Sequence, residues 1–568
     1  MKKKIRNILL SGIVAFGLGS CNDFFDILPL NDIVLEGFYT EENDITSVLN
    51  SCYAGLESAD CINRLAAWGE IRSDNISPGS NVPNDETQIL KENIIQTTKY
   101  ANWASIYNVI NRCNTVMYYA PLVNEKDPNY TDSEMKANIA EAKAIRALCY
   151  FYLVRAFRDV PFVTEPSIDD TQDFAVPASS FGDILNYLIE DLEEIKDDAV
   201  RKFADKMDNT TRFTRFGIYA LLADLYLWND DYSNCVKYCD LLIDHKQQLY
   251  LEEIALMGNN TDIELYKGFP LISEHASGST KSGNASTKIF GAKNSFESIF
   301  ELNFVQNQSV SNSFVSNYYG SSSNLIGYFS ATAFLAENVA TSANKLFKNT
   351  DCRYLEFMEK SGTMYAISKY TRASVSFDTP LATSTTSPAV TASRRPNGYA
   401  NWIIYRFTDI MLMKAEAQIQ LGKTSINDTV SVTETMKPYM RSAFNLVSAV
   451  YNRANNLTNL STDSLKYSDH SATASTMENL ILNERQRELM FEGKRWFDLV
   501  RMARREGNNE KLINHVIAKY KSNTGAIRIR LKTTDGLYFP YYENELKLNK
   551  HLKQNPVYIT NESTNLSE

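Results

Sequence analysis

From Glu134 to Arg158 the apolar residues Ala140, Ala144, Ala147, Phe151 and Val154 recur in steps of four and three. That spacing places them in one stripe along a single long helix. Asp159-Val160-Pro161 ends it, because proline drives the residue before it out of the helical region. A second pair of helices is legible from Phe213 to Asp244. Ala220, Ala223 and Leu227 mark one packed face, and Tyr232, Cys235, Cys239 and Leu242 mark another beyond a break at Asn229-Asp230-Asp231. A third run, Tyr405 to Leu421, carries Met411, Ala415 and Ile419 and stops at Gly422. Small alanines facing aromatics across short hairpins are the packing of tetratricopeptide repeats. The irregular period predicts degenerate hairpins and not a clean solenoid.

Between the helical runs the texture changes. Asn307 to Thr332 is rich in Ser and Asn, interleaved with Phe314, Tyr318, Tyr319, Tyr328 and Phe329. Thr371 to Gly398 is rich in Ser and Thr, with Pro380, Pro388 and Pro396. Both read as long surface loops, and the aromatic-bearing one is the better candidate for function. Residues 423–480 read as a further helix with loops.

The N-terminus carries an address. Lys2, Lys3, Lys4 and Arg6 precede an apolar stretch, Ile8 to Phe16, and Leu18-Gly19-Ser20-Cys21 follows. This is the order of a bacterial lipoprotein signal over residues 1–20. The apolar run is too short to span a bilayer, for which a helix needs about 20 residues. Cys21 would supply the thiol that receives the lipid, and several acyl chains make a stable anchor where one is marginal. The precursor has a net charge of −10, and removal of residues 1–20 takes away only basic charge. An acidic body argues against a nucleic-acid partner, which needs a basic face.

Seven cysteines remain beyond Cys21, without a CxxC pair, and read as small buried residues and not as a disulfide framework. The five histidines are scattered, with no HExxH and no Cys/His cluster, so no metal or other cofactor is expected. Structural calcium stays open, since scattered Asp and Asn could bind it.

Five segments, in order, resemble the SusD/RagB family of surface lipoproteins. They are Cys21-Asn22-Asp23-Phe24-Phe25-Asp26; Glu141 to Ala147 running on to Asp159-Val160-Pro161; Phe216 to Tyr226 with Asp231-Tyr232; Arg406 to Ala417; and Asn483 to Gly493 with Arg495 to Leu499. Tyr538-Phe539-Pro540 and Gln554-Asn555-Pro556 make a family-like ending. One departure is Arg158, where the family usually has glycine, so a differently closed helix end is expected. The resemblance implies a mostly α fold with tetratricopeptide-like hairpins as scaffold and an irregular, loop-rich second half. Its parts would be the signal 1–20, an N-terminal helical region 21–260 and a C-terminal region 261–568 with the binding loops. It also implies a lipid-anchored protein of the outer membrane, exposed at the cell surface of a Bacteroidetes-type bacterium. Such a protein caps a SusC-like TonB-dependent transporter and captures glycan, or in some members peptide, for import.

Two site readings compete on the residues themselves. A glycosidase needs paired carboxylates about 5–9 Å apart, one with a raised pKa. Glu484 and Glu488 are one helical turn apart, with Glu484 the candidate acid. However, Glu484–Arg487, Arg485–Glu488 and Glu492–Arg495 have the i, i+3 spacing of ion pairs, which lowers carboxylate pKa values and suits structure better than catalysis. No catalytic residue is therefore assigned, and no enzyme is expected. Glycan binding asks for exposed aromatic faces and polar partners for hydroxyls. Tyr318, Tyr319 and Tyr328 fit that need, with Asn317 and Asn324 beside them, and Asp74 and Asn75 could point into a cleft. Trp103 follows helical spacing with Tyr107, Ile110 and Asn114, so it is a candidate platform with a competing core role. Trp402 and Trp496 read as core.

Overall fold

A computed structural model of the chain describes residues 38–168, 172, 174–258, 261–275, 284–305, 310–337, 346–348, 351–377, 390–395, 398–423, 432–455 and 465–559. The signal, Cys21 and parts of both Ser/Thr-rich segments lie outside them.

The first stripe forms helix Asp132–Phe157. A capping box starts it: the Thr131 hydroxyl accepts from the Glu134 N–H while Glu134 Oε2 accepts from the Thr131 N–H at 2.9 Å. From Ala140 onward every residue to Phe157 except Lys143 is buried, because helices Ala104–Asn124 and Phe181–Ile195 pack on it from different sides. The alanines are small enough for that double approach. The helix end keeps the backbone that glycine would give: Arg158 itself has φ +71°. A non-glycine residue there is strained, and its guanidinium is held by Asp159 at 2.8 Å and Asp535 at 2.5 Å.

Helices then pair in sequence order, as the hairpin reading expects. Arg215–Trp228 packs on Tyr232–Met257, which packs on Phe407–Gly422, which packs on Lys437–Ala454 and Ala474–Leu489. Thr214 caps the first of these through the Gly217 N–H, and Asp231 caps the second through the Asn234 N–H. The architecture is mostly helical. Strands are few and short. The largest sheet among the described residues has four, in the order Ile76–Pro78, Phe329–Ala331, Met364–Ile367, Met358–Ser361, with antiparallel neighbours. The main apolar core includes residues from Tyr39 to Tyr558 and so draws on both halves of the chain. All seven described cysteines are buried and unbonded. Among the described residues no helix is long and apolar enough to cross a membrane.

The aromatic segment is not a surface loop over its described part, 310–332. Phe314, Val315, Tyr318, Tyr319 and Phe329 are all buried. Val315–Tyr319 makes a π-helical turn, and Phe329–Ala331 pairs with two strands of the sheet. The reason is area: these rings carry more apolar surface than a polar loop can leave in water. Phe314 stacks on Tyr318 at 4.6 Å and meets Trp402 edge-on at 5.3 Å. The Ser and Asn residues between them are the part that stays outside, as at Ser321 to Asn324.

Candidate functional site

Helix Ala474–Leu489 and the turn after it carry the polar centre of the protein. Glu488 is buried and accepts from Arg353, Arg406 and Arg453. Burial pushes its carboxyl up, but the guanidiniums of Arg453, Arg406 and Arg353 outweigh this and hold it well below the usual range. Glu492 pairs with Arg406 at 2.8 Å and Lys369 at 2.5 Å. Of the three spacings that predict ion pairs, only Glu484–Arg487 forms as written, at 2.7 Å. Arg485 turns instead to Asp498 and Asp409, and Arg495 to Asp74. Apart from Glu484–Arg487, the helix face thus binds distant strands and helices together. Glu484 is fully buried, and its oxygens are taken by Arg353 and Arg487. It has no open path to a glycosidic oxygen.

Asp74 and Asn75 sit in this same interior. Arg495 grips Asp74 with two bonds, at 2.8 and 2.9 Å, and the Gln486 amide donates to both Asp74 and Asn75. Asn75 donates to Glu70 at 2.9 Å, and Glu70 accepts from the Gly493 N–H at 3.0 Å. The two chain segments touch here: a Cβ on Gly69 would lie 1.7 Å from the Gly493 carbonyl oxygen. Burial raises the Glu70 carboxyl to about 7, with the bonds from Asn75, Gly493 and Ser73 opposing it.

The aromatic candidates are placed differently from the expectation of open platforms. Tyr318 and Tyr100 both donate to the buried Glu86, at 2.8 and 2.7 Å, and their hydroxyls meet at 2.5 Å. Tyr319 donates to the Phe491 carbonyl at 2.9 Å. Trp103 is buried among Tyr107, Phe157 and Tyr541. These three rings offer no open face to a ligand, because each is enclosed by other rings and every tyrosine hydroxyl among them is bonded. Tyr328 alone is half-buried. Its ring meets Tyr318 edge-on at 5.2 Å, and its carbonyl accepts from the Gly79 N–H at the end of the neighbouring strand. Asn317 is exposed on the otherwise buried aromatic turn, and Asn324 is exposed at its rim.

The open space lies elsewhere. Two adjoining hollows, of about 470 and 570 Å3, share Leu346, Asn479 and Asn483 as a common wall. The first also has Asp74, Gln486, Asn514, His515 and Phe334 in its lining. Asn479, exposed, and Asn483, half-buried, are one turn apart on helix Ala474–Leu489. Among the described residues neither side chain has a hydrogen-bond partner. Asp74 is thus a sequence candidate that lines one of these hollows, and it does so with its charge already met by Arg495. Asn479, Asn483, Asn514 and His515 were not singled out from sequence. The available signal was two amides at i, i+4 directly ahead of the Glu484 motif, polar positions that the ion-pair pattern does not use.

Among the described residues one group could hold a metal ion: Glu274, Cys352 and Glu356, all buried. The Asn284 amide bridges the two carboxylates, at 2.5 and 3.1 Å. Burial raises both carboxyls, Glu356 to about 7, and Glu356 adds to the rise at Glu274. A thiol beside two carboxylates is not a calcium set, which takes six to eight oxygens.

The SusD family model matches residues 296–558, and the model described as starch-binding associating with outer membrane matches residues 23–227. The chain belongs to the SusD-like family. A SusD-like protein P38 of Formosa agariphila is 25% identical over 520 residues, covering 88% of this chain and 92% of that protein. A second from the same organism, SusD-like protein P2, is 22% identical and covers 86% and 89%. Among solved structures, a SusD homolog from Bacteroides thetaiotaomicron aligns with a TM-score of 0.65 at 15% identity, over 92% of this chain and 98% of the other. Surface glycan-binding protein A from Bacteroides uniformis aligns with a TM-score of 0.61 at 20% identity, over 91% and 100%. The SusD-like fold is therefore shared along nearly the whole chain.

Proposed function

We propose that this protein is a lipid-anchored, non-enzymatic glycan-binding subunit of an outer-membrane uptake complex. It would capture an oligo- or polysaccharide at the cell surface and hand it to a SusC-like TonB-dependent transporter. The observation that carries the binding role is the pair of hollows lined by Asn479 and Asn483, amides with no hydrogen-bond partner among the described residues. A side-chain amide offers both donors and an acceptor, the pairing that a sugar hydroxyl requires. Open concavity with a few convergent polar groups is the usual form of a small-ligand site. Membership in the SusD-like family supports the same reading, as does the shared fold with a surface glycan-binding protein. The sealed position of Glu484 supports binding without cleavage. Cys21 supports the anchor through its place behind a signal of the right form.

The test is calorimetry of residues 22–568 against a panel of polysaccharides and peptides. Saturable heat with a polysaccharide, and no release of sugar on long incubation, is the expected result. Binding confined to peptides would replace this reading with peptide capture.

A further inference from the structure

At the first hollow the carboxylate and the lysine are already met, Asp74 by Arg495 and Lys511 by Glu506. Two of its amides are only half met, and both have a fixed orientation. Gln486 is 4% exposed, and its Nε2 donates to Asp74 Oδ2 at 3.1 Å and to Asn75 Oδ1 at 2.9 Å. Those partners decide which way round the amide sits. Asp74, paired with Arg495, only accepts, and Asn75 turns its own Nδ2 to Glu70 at 2.9 Å. Gln486 Oε1 is therefore a fixed acceptor at the wall of the hollow, without a hydrogen-bond partner among the described residues. An amide oxygen on a nearly enclosed side chain, left unbonded, marks a place where a guest donor completes the bonding. Asn514 reaches the same hollow from a second helix, Glu510–Ile517. Its Oδ1 accepts from Arg528 at 2.8 Å, and a guanidinium only donates, so this amide is oriented too. Its Nδ2 is the group left over, a donor with no partner among the described residues. Leu346, Phe334 and Ala518 add apolar surface to the lining and bring no polar side-chain atom.

We infer that this hollow takes the acetamido group of an N-acetylated sugar, read by the Gln486 carbonyl and the Asn514 amide nitrogen. A trans secondary amide is planar and carries its N–H and its C=O on opposite edges. The N–H meets the fixed acceptor from one helix, and the C=O meets the fixed donor from the other. The methyl group lies against Leu346, Phe334 and Ala518. A hydroxyl placed against those three side chains would lose water without gaining a partner, which is unfavourable. A methyl group gains from the same contact. Asn479 and Asn483 remain for the hydroxyls of the ring. This inference rests on the glycan-binding reading and adds the substituent that the site selects.

The experiment is calorimetry of the full mature chain with tetra-N-acetylchitotetraose, its de-N-acetylated tetramer, cellotetraose and the peptide tetraalanine. Free N-acetylglucosamine and N-acetylgalactosamine serve as competitors. The saccharide tetramers share one backbone and differ only in the substituent on the second carbon. Wild type is expected to bind the acetylated tetramer on the order of tenfold more tightly than the other two, and the free N-acetyl sugars should displace it. Asn514→Asp, at an exposed position, keeps an acceptor for Arg528 and removes the donor. It should weaken binding of the acetylated tetramer roughly fivefold to tenfold and leave the weak binding of cellotetraose as it was. Gln486→Met removes the fixed acceptor and should abolish the preference as well. Thermal denaturation accompanies it, because Asp74 and Asn75 lose a donor in that variant. Equal affinity for cellotetraose and the acetylated tetramer would overturn the acetamido inference and leave glycan binding standing. So would a preference unchanged by Asn514→Asp, or binding confined to sugars without an acetamido group in a wider panel. Binding of tetraalanine alone, or of no saccharide in either panel, would overturn the glycan reading itself.

Discussion

Asp74→Ala separates a structural carboxylate from a ligand-contacting one. In the folded chain Asp74 is 1% exposed and Arg495 2%, joined by bonds of 2.8 and 2.9 Å. Removing the carboxylate leaves a buried guanidinium whose other bonds are a weak contact to the Leu482 carbonyl at 3.3 Å and one to His515. Breaking a buried pair this way costs about 3–5 kcal/mol. The Gln486 amide loses one acceptor but keeps Asn75 at 2.9 Å, so little is added from there. Against a typical domain stability of about 5–15 kcal/mol, the loss is large enough to read as a clear fall in the urea midpoint. The companion variant Asp74→Leu with Arg495→Met should recover much of it, because a buried ion pair replaced by apolar groups is often neutral. The pH dependence has a definite sign. Burial raises the Asp74 carboxyl, but Arg495 outweighs this and holds it well below its ordinary value. Its contribution is therefore present above the unfolded-state pKa of about 4 and is lost as pH falls below it. The gap between wild type and Asp74→Ala should stay constant from pH 8 to about 5 and narrow in stronger acid. An Asp74→Ala protein with wild-type stability and lost glycan binding would refute this and make Asp74 a ligand contact.

Other consequences follow from particular contacts. Glu356→Gln should remove a pH dependence expected of wild type: burial raises the folded-state carboxyl to about 7, so wild-type stability should fall as pH rises from about 4.5 through 7. The full shift corresponds to on the order of 3 kcal/mol, and equal slopes in the two proteins between pH 5 and 8 would contradict it. Tyr318→Ala should destabilise by about 3–5 kcal/mol through the cavity left beside Phe314 and Phe329, whereas Tyr328→Ala, at a half-buried position, should cost much less; thermal denaturation of the two variants decides this. Cys21→Ala should leave folding and ligand affinity intact while abolishing membrane retention, checked by cell fractionation.

Much of the scaffold was readable because it rests on local repetition. The stripe from Ala140 to Val154 and the break at Asn229-Asp230-Asp231 report helices and their turn without any distant contact. Arg158 shows where such reading stops. The unusual residue is visible, but its retention of a left-handed backbone depends on Asp535, far away in sequence. The site was less legible for a related reason. Tyr318 and Tyr319 look exposed among serines and asparagines, and only Glu86 and Phe491, more than 150 residues away on either side, reveal that their hydroxyls are committed inside. The i, i+3 charge pattern near Glu484 identified a structural network but named two of its three pairs wrongly. Buried charges seek partners across the core as readily as along the helix. Asn479 and Asn483 escaped notice because nothing local distinguishes a partnerless amide from a solvated one; the hollow beside them does.

The measurement that bears most directly on the central claim is calorimetric titration of the mature chain and of its Asn479→Ala, Asn483→Ala double variant with the same polysaccharide. Saturable binding by wild type, lost at least tenfold in the variant at unchanged thermal stability, is the predicted result. Equal affinity in the two proteins would place the site elsewhere, and the absence of saccharide binding in both would contradict the proposed function.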